Sequence, residues 1–350
     1  MKRQEILARL GFRVPESKIK RVIVHTDIAC EADDPFAIVH HLLTPTEDVV
    51  GIIAANYEYN YRSMEDQMDV QIAAMEAGCK SEEERALLQK RKASFFETRL
   101  HTMEKSYALG KQILEKMDID DVPLIKGAVD CIMDTGHLPE SAGADFIIGE
   151  AMKPSNSPLY IALQGGLTDL AIAYLKEPAI ASHIAAAIWI GGGAYPDGKG
   201  DFNMVQDITA AEILFQSDMN IWQYPASAYG SMNISLAEIV QKIRCKGEIG
   251  KFIADYMIQF NEQMGNYTGL GDFPQGELWS IGDNPTVLAL LENPAGQKYH
   301  TIPAPHIGAD MSYIPNPQGH EIRVYDSIDR RLAMDDLFAK IDLCYGSQNV

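Results

Sequence analysis

The sequence has no apolar run approaching 18 residues, so no membrane span is expected. It has only five cysteines, Cys30, Cys79, Cys131, Cys245 and Cys344. They are far apart, odd in number and form no C-x-x-C pair. Reduced thiols in a cytoplasmic protein are the expectation. Basic residues are scarce: 30 Lys and Arg against 49 Asp and Glu give a formal net charge of −19. A protein that tracks phosphates needs a basic face, and so does one that docks on an anionic membrane; neither class fits. A small anionic substrate in a local pocket is still allowed. Residues 1–18 carry scattered charges and no apolar h-region, so a secretory signal is not expected there. No Pro/Gly-rich linker and no internal repeat divides the chain. The 350 residues could hold two domains of roughly 150 each. The missing linker favours one unit over 1–350.

What is there is an alternation of strands and helices. Residues 20–25, 48–55, 122–125, 159–163, 185–190 and 220–224 are apolar runs that read as strands. Helical spacing follows at 35–43 and 168–175, and a final helix is expected near 333–343. Continuous apolar strands are buried on both faces, and helices between them imply parallel pairing. The fold class is therefore α/β: a single large, open, mostly parallel sheet with helices on both faces. Residues 58–105 break the rhythm. Met64, Met68, Ile72 and Met75 share one helical face, Ser81 and Glu84 form a capping box, and Leu88, Arg91, Phe95 and Met103 continue a second stripe. That segment is expected to be a helical insertion after the second strand. It could lid a pocket or build a subunit contact. From Asn261 onward the chain is richer in Gly, Pro and Asn, and long loops are expected.

The most informative segment is His25-Thr26-Asp27-Ile28-Ala29-Cys30-Glu31-Ala32-Asp33-Asp34-Pro35. Four carboxylates lie between a strand end and a helix start, where open parallel sheets bind ligands. Helix capping ahead of Pro35 explains Asp33 or Asp34. It does not explain Asp27. Like charges about 4 Å apart repel by on the order of 4 kcal/mol at an effective dielectric near 20. Such a cluster needs a shared proton, solvent or a cation, and a hard divalent cation suits oxygen ligands. The spacing is not that of an EF-hand loop. Cys30 reads as a packed thiol, since nothing nearby lowers its pKa.

This segment resembles the fingerprint D-x-D-P-G-x-D-D of the inosine–uridine preferring nucleoside hydrolases, in a divergent branch with a longer loop. Asp27, Asp33 and Asp34 keep three of its acids, and His25 replaces the first. Further segments follow in the family's order. Residues 52–56 match its second strand, which ends in Asn56. Residues 122–128 resemble V-P-V-x-x-G. Leu163-Gln164-Gly165-Gly166-Leu167-Thr168-Asp169-Leu170-Ala171 resembles G-P-L-T-N-L-A. Gly191–Gly193, Asp201-Phe202-Asn203 and Asp207 with Ala210-Ala211 resemble M-G-G…E-F-N…D-P-x-A-A. Gly282-Asp283-Asn284-Pro285 resembles the late H-D-P.

The resemblance implies Ca²⁺-dependent hydrolysis of a ribonucleoside N-glycosidic bond. Asp27, Asp34, the Thr168 carbonyl and Asp283 would hold the metal, with Asp27 also the general base. Asp33, Asn56, Asp201 and Asn203 would bind the ribose. The family's histidine is Gly282 here, so a leaving base would need another aid. Stacking on Trp279 is one candidate; core packing is the plainer role for that indole. His25 could orient an aspartate or make a structural hydrogen bond. The implied partner is a small nucleoside or related ribosyl substrate, within purine or pyrimidine salvage, and the implied assembly a homo-oligomer, dimer or tetramer. Two alternatives share the scaffold: a sugar- or nucleoside-binding protein with little turnover, and a hydrolase of another ribosyl glycoside.

Overall fold

The computed structural model describes residues 1–59, 79, 81–86, 101–264, 276–291 and 296–346. Most of the expected helical insertion lies outside the described residues. Within them, 82–86 are helical, and the Glu84 amide donates to Ser81 Oγ at 3.1 Å, as a cap should.

Six parallel strands form the body of the sheet: β1 (Lys20–Thr26), β2 (Glu47–Ala54), β3 (Leu124–Lys126), β4 (Leu159–Gln164), β5 (Ile184–Ile190) and β6 (Ile221–Tyr224). Strands Glu321–Ser327 and Lys298–Pro303 complete eight. The order is β3-β2-β1-β4-β5-β6, then Glu321–Ser327, then Lys298–Pro303. Every pair is parallel except the last. Burial on both faces explains the strand sequences. In β1, Val22 and Val24 enter one core cluster and Ile23 the other; β5 divides Ile188 from Trp189 in the same way. Helices Asp34–Leu42, Pro285–Leu291 and Arg330–Tyr345 pack on one face, Ala142–Ala151, Thr168–Lys176 and Ile208–Phe215 on the other.

The last third holds more regular structure than its composition suggests. It supplies the two strands that extend the sheet beyond β6 and the helix Arg330–Tyr345.

The chain order sets the place of a site. From β1 the chain runs outward through β2 to β3, then returns to β4 on the other side of β1. Loops leaving β1 and β4 therefore part in opposite directions. They leave a crevice beyond the carboxyl ends of these strands. Among the described residues, no helix is long and apolar enough to cross a membrane.

Candidate active site

A pocket of about 460 Å³ sits in that crevice. Asp27 comes from the turn after β1, and Glu31 and Asp33 from the loop that follows. Gln164 closes β4, Asn203 opens the next wall, and Asp283 precedes the helix Pro285–Leu291.

The acids are not spent on capping. Asp33 is the residue before the helix Asp34–Leu42, yet its side chain makes no cap hydrogen bond. Its carboxylate lines the pocket beside the Gly282 and Asp283 backbone. Asp34 accepts a hydrogen bond from Thr26 Oγ1 at the end of β1. Carboxylate oxygens of Asp33, Asp34 and Asp283 lie within 4.8 Å of one another. Asp27 faces the same space. Burial, reinforced by neighbouring carboxylates, pushes Asp34 and Asp283 well above the usual range. Burial likewise raises Asp33 to about 7, Glu31 to about 8 and Asp27 to about 6. Such a cluster is stable either protonated or neutralised by a cation.

The donor set fits a hard divalent cation, being all oxygen and largely anionic. One more observation points the same way. Gln164 gives its amide Nε2 to Thr286 Oγ1 at 2.7 Å and sits 3.1 Å from His41 Nε2. Its Oε1 is buried without a hydrogen-bond partner while the residue lines the pocket. Thr168 opens the helix after β4 and donates its hydroxyl to Asp207 at 2.7 Å. It does not line the pocket; Gln164 does.

The sugar-binding candidates divide. Asn203 lines the pocket and anchors its Nδ2 on the Ile190 carbonyl at 2.9 Å. Asp201 caps the helix Phe202–Gln206 through the Met204 amide and accepts the Tyr229 hydroxyl at 2.6 Å. Asn56, buried at the end of β2, accepts the Glu58 amide at 3.4 Å and is not in the lining. Trp279 is 2% exposed and packs edge-on against Phe260, 5.5 Å between centroids. It takes the packing role and does not line the pocket. Cys30 does line it, and burial and the surrounding acids raise its thiol pKa, which disfavours the thiolate.

No histidine lines this pocket among the described residues. His25 bonds Asp169, His41 bonds Glu47, His40 bonds Asn284 and Asp336, and His137 pairs with Asp134 on the surface. Gly282 is crowded from above. A Cβ there would stand 3.2 Å from the Tyr229 ring and 3.4 Å from Asp33 Oδ2. Gln164, Tyr229, Ser280 and Gln206 were not legible as site residues. The first three line the pocket from three separate elements. Gln164 and Gln206 gave a local signal, the first inside the segment matched to G-P-L-T-N-L-A and the second between Asn203 and Asp207.

Comparison with known proteins agrees with this architecture. The profile of the inosine-uridine preferring nucleoside hydrolases matches residues 22–330. No curated protein matches the sequence. Among solved structures, the chain resembles the purine-preferring ribonucleoside hydrolase from Gardnerella vaginalis. The two share 17% identity and a TM-score of 0.62, over 93% of this chain and 99% of that one. An inosine-guanosine nucleoside hydrolase gives 16% and 0.61, over 92% and 98%. The type III effector XopQ, solved with adenosine diphosphate ribose, gives 13% and 0.61, over 98% and 99%. With the profile spanning the sheet and every acid of the pocket, the chain belongs to the inosine-uridine preferring nucleoside hydrolase family of enzymes.

Proposed function

We propose that this enzyme hydrolyses the N-glycosidic bond of a ribonucleoside with the help of Ca²⁺. The observation that carries this is the convergence of Asp33, Asp34 and Asp283 within 4.8 Å, with Asp27 in the same pocket. The ligand set implied by the family resemblance is Asp27, Asp34, the Thr168 carbonyl and Asp283; it shares Asp34 and Asp283 with this cluster. A bound cation would neutralise the acids and supply a Lewis acid at the sugar hydroxyls.

The chain's own groups account for the rest. Cleavage of C1′–N leaves an oxocarbenium-like sugar, which the surrounding carboxylates stabilise. Asp27 accepts the proton of the attacking water through a carboxylate oxygen. Asp33 and Asn203 hold ribose hydroxyls and fix the sugar against that water, while Asp201 stands outside the lining and holds the pocket-lining Tyr229. The substrate is a small nucleoside, and the working form a cytoplasmic homo-oligomer.

The test is release of free base from a panel of purine and pyrimidine nucleosides, before and after chelation. We expect release that a chelator abolishes and added Ca²⁺ restores. No release from any nucleoside, with no metal retained, would sink the proposal. One observation favours a second reading, a ribosyl-binding protein with little turnover: among the described residues no imidazole lines the pocket to protonate a leaving base. Saturable nucleoside binding without base release would select it.

A further inference from the structure

Behind the acids, one neutral side chain reaches the proposed general base. Gln206 ends the short helix Phe202–Gln206, is 1% exposed, and donates its Nε2 to Asp27 Oδ2. Its Oε1 is buried without a partner. Two glycines make room for this pair. A Cβ on Gly165 would stand 3.0 Å from Asp27 Cγ and 3.2 Å from its Oδ1. A Cβ on Gly166 would stand 3.2 Å from the Cβ of Gln206. Neither glycine has a positive φ, so conformation does not demand them. Space does. The turn they form is pinned by Trp189 Nε1, which donates to the Gly165 carbonyl at 3.1 Å. The helix that carries Gln206 is fixed at both ends. Asp201 caps its start, and Asp207 caps the helix that follows.

We infer that Gln206 is a positioning residue for Asp27. This rests on the assignment of Asp27 as proton acceptor. A carboxylate turns about its Cβ–Cγ bond, and a buried donor on Oδ2 stops that rotation. The amide decides which oxygen meets the water, and the glycine pair lets both side chains stand close enough to do so. A donor placed only to satisfy a buried acid would affect folding and leave turnover per folded molecule alone.

The experiment compares wild type, Gln206→Met, Asp27→Asn and the double variant on the best substrate of the nucleoside panel, with saturating Ca²⁺. Met keeps the length and volume and removes the donor. Gln206→Met should lower kcat by about 10- to 100-fold with KM within about 2-fold, as loss of alignment does. Added to Asp27→Asn it should cost nothing further, because residues acting as a unit are not additive. If Gln206→Met fails to fold, Gly166→Ala gives the same reading by displacing the amide, and its kcat should fall with KM kept. An unchanged kcat, or losses that multiply in the double variant, overturns the inference and leaves the hydrolase intact. A wild type that releases no base from any nucleoside removes both.

Discussion

His25 and Asp169 show how a departure from a pattern can be answered elsewhere in the chain. His25 stands where the family fingerprint has an aspartate, and Asp169 where L-T-N has an asparagine. The two are fully buried and 2.8 Å apart, His25 Nε2 to Asp169 Oδ2. Asp169 Oδ1 also accepts the Ala128 amide at 2.7 Å and the Ser141 hydroxyl. A donor and an acceptor have exchanged places between β1 and the helix Thr168–Lys176 that follows β4, and the bond between them is kept. His25→Asp alone would bury two carboxylates side by side. It should cost about 3–5 kcal/mol, as breaking a buried pair does. His25→Asp with Asp169→Asn restores one donor opposite one acceptor and should recover most of that loss in urea melts. A double variant no more stable than the single one would show that the contact is not a pair. Each substitution was visible in the sequence. Their partnership was not, because 144 residues separate them.

The helix Asp34–Leu42 shows the same limit one scale up. Pro35 and the acids before it marked its start, and apolar spacing marked its length. What closes its other end lay out of view. Arg3, 3% exposed, donates to the carbonyls of Leu42, Glu47, His41 and Thr44 at 2.8 to 3.1 Å. One guanidinium thus ties the end of this helix to the start of β2. Arg3→Ala would strip the donors from those carbonyls in a dry site. A loss of roughly 3–5 kcal/mol is expected in chemical denaturation; a change below 1 kcal/mol would mean that water replaces the guanidinium. The strands of the inner sheet were legible for the reason the two beyond β6 were not. β5 is apolar throughout, and β1 and β4 carry continuous apolar runs over Val22–Val24 and Leu159–Leu163, because both faces are covered. Lys298–Pro303 is the exposed antiparallel edge, and Glu321–Ser327 mixes buried Ile322, Val324 and Tyr325 with exposed charge. Neither makes a continuous apolar run.

For the whole molecule, the net charge of −19 meets its main consequence in the pocket. Folding gathers there acids that are well solvated in the unfolded chain. Burial raises the aspartates from 3.8 to about 6 at Asp27 and about 7 at Asp33, and Glu31 from 4.5 to about 8. The sign follows directly. Above the ordinary carboxylate range the unfolded chain has lost protons that the folded state still holds, so the folded state binds more protons. Stability must then fall as pH rises through these values. A divalent cation reverses the balance, because it binds the ionised cluster and has no comparable site in the unfolded chain. Free ligand at 100 times its Kd adds about 2.7 kcal/mol. Without divalent cations, the melting temperature should therefore fall between about pH 5 and 8. With saturating Ca²⁺ it should rise at pH 8 and lose most of that slope. Asp283→Asn should blunt both effects together, since it removes one member of the cluster and leaves the sheet untouched. Equal pH slopes with and without Ca²⁺ would mean that these acids are relieved by protons or water alone, and the metal site would have to be sought elsewhere.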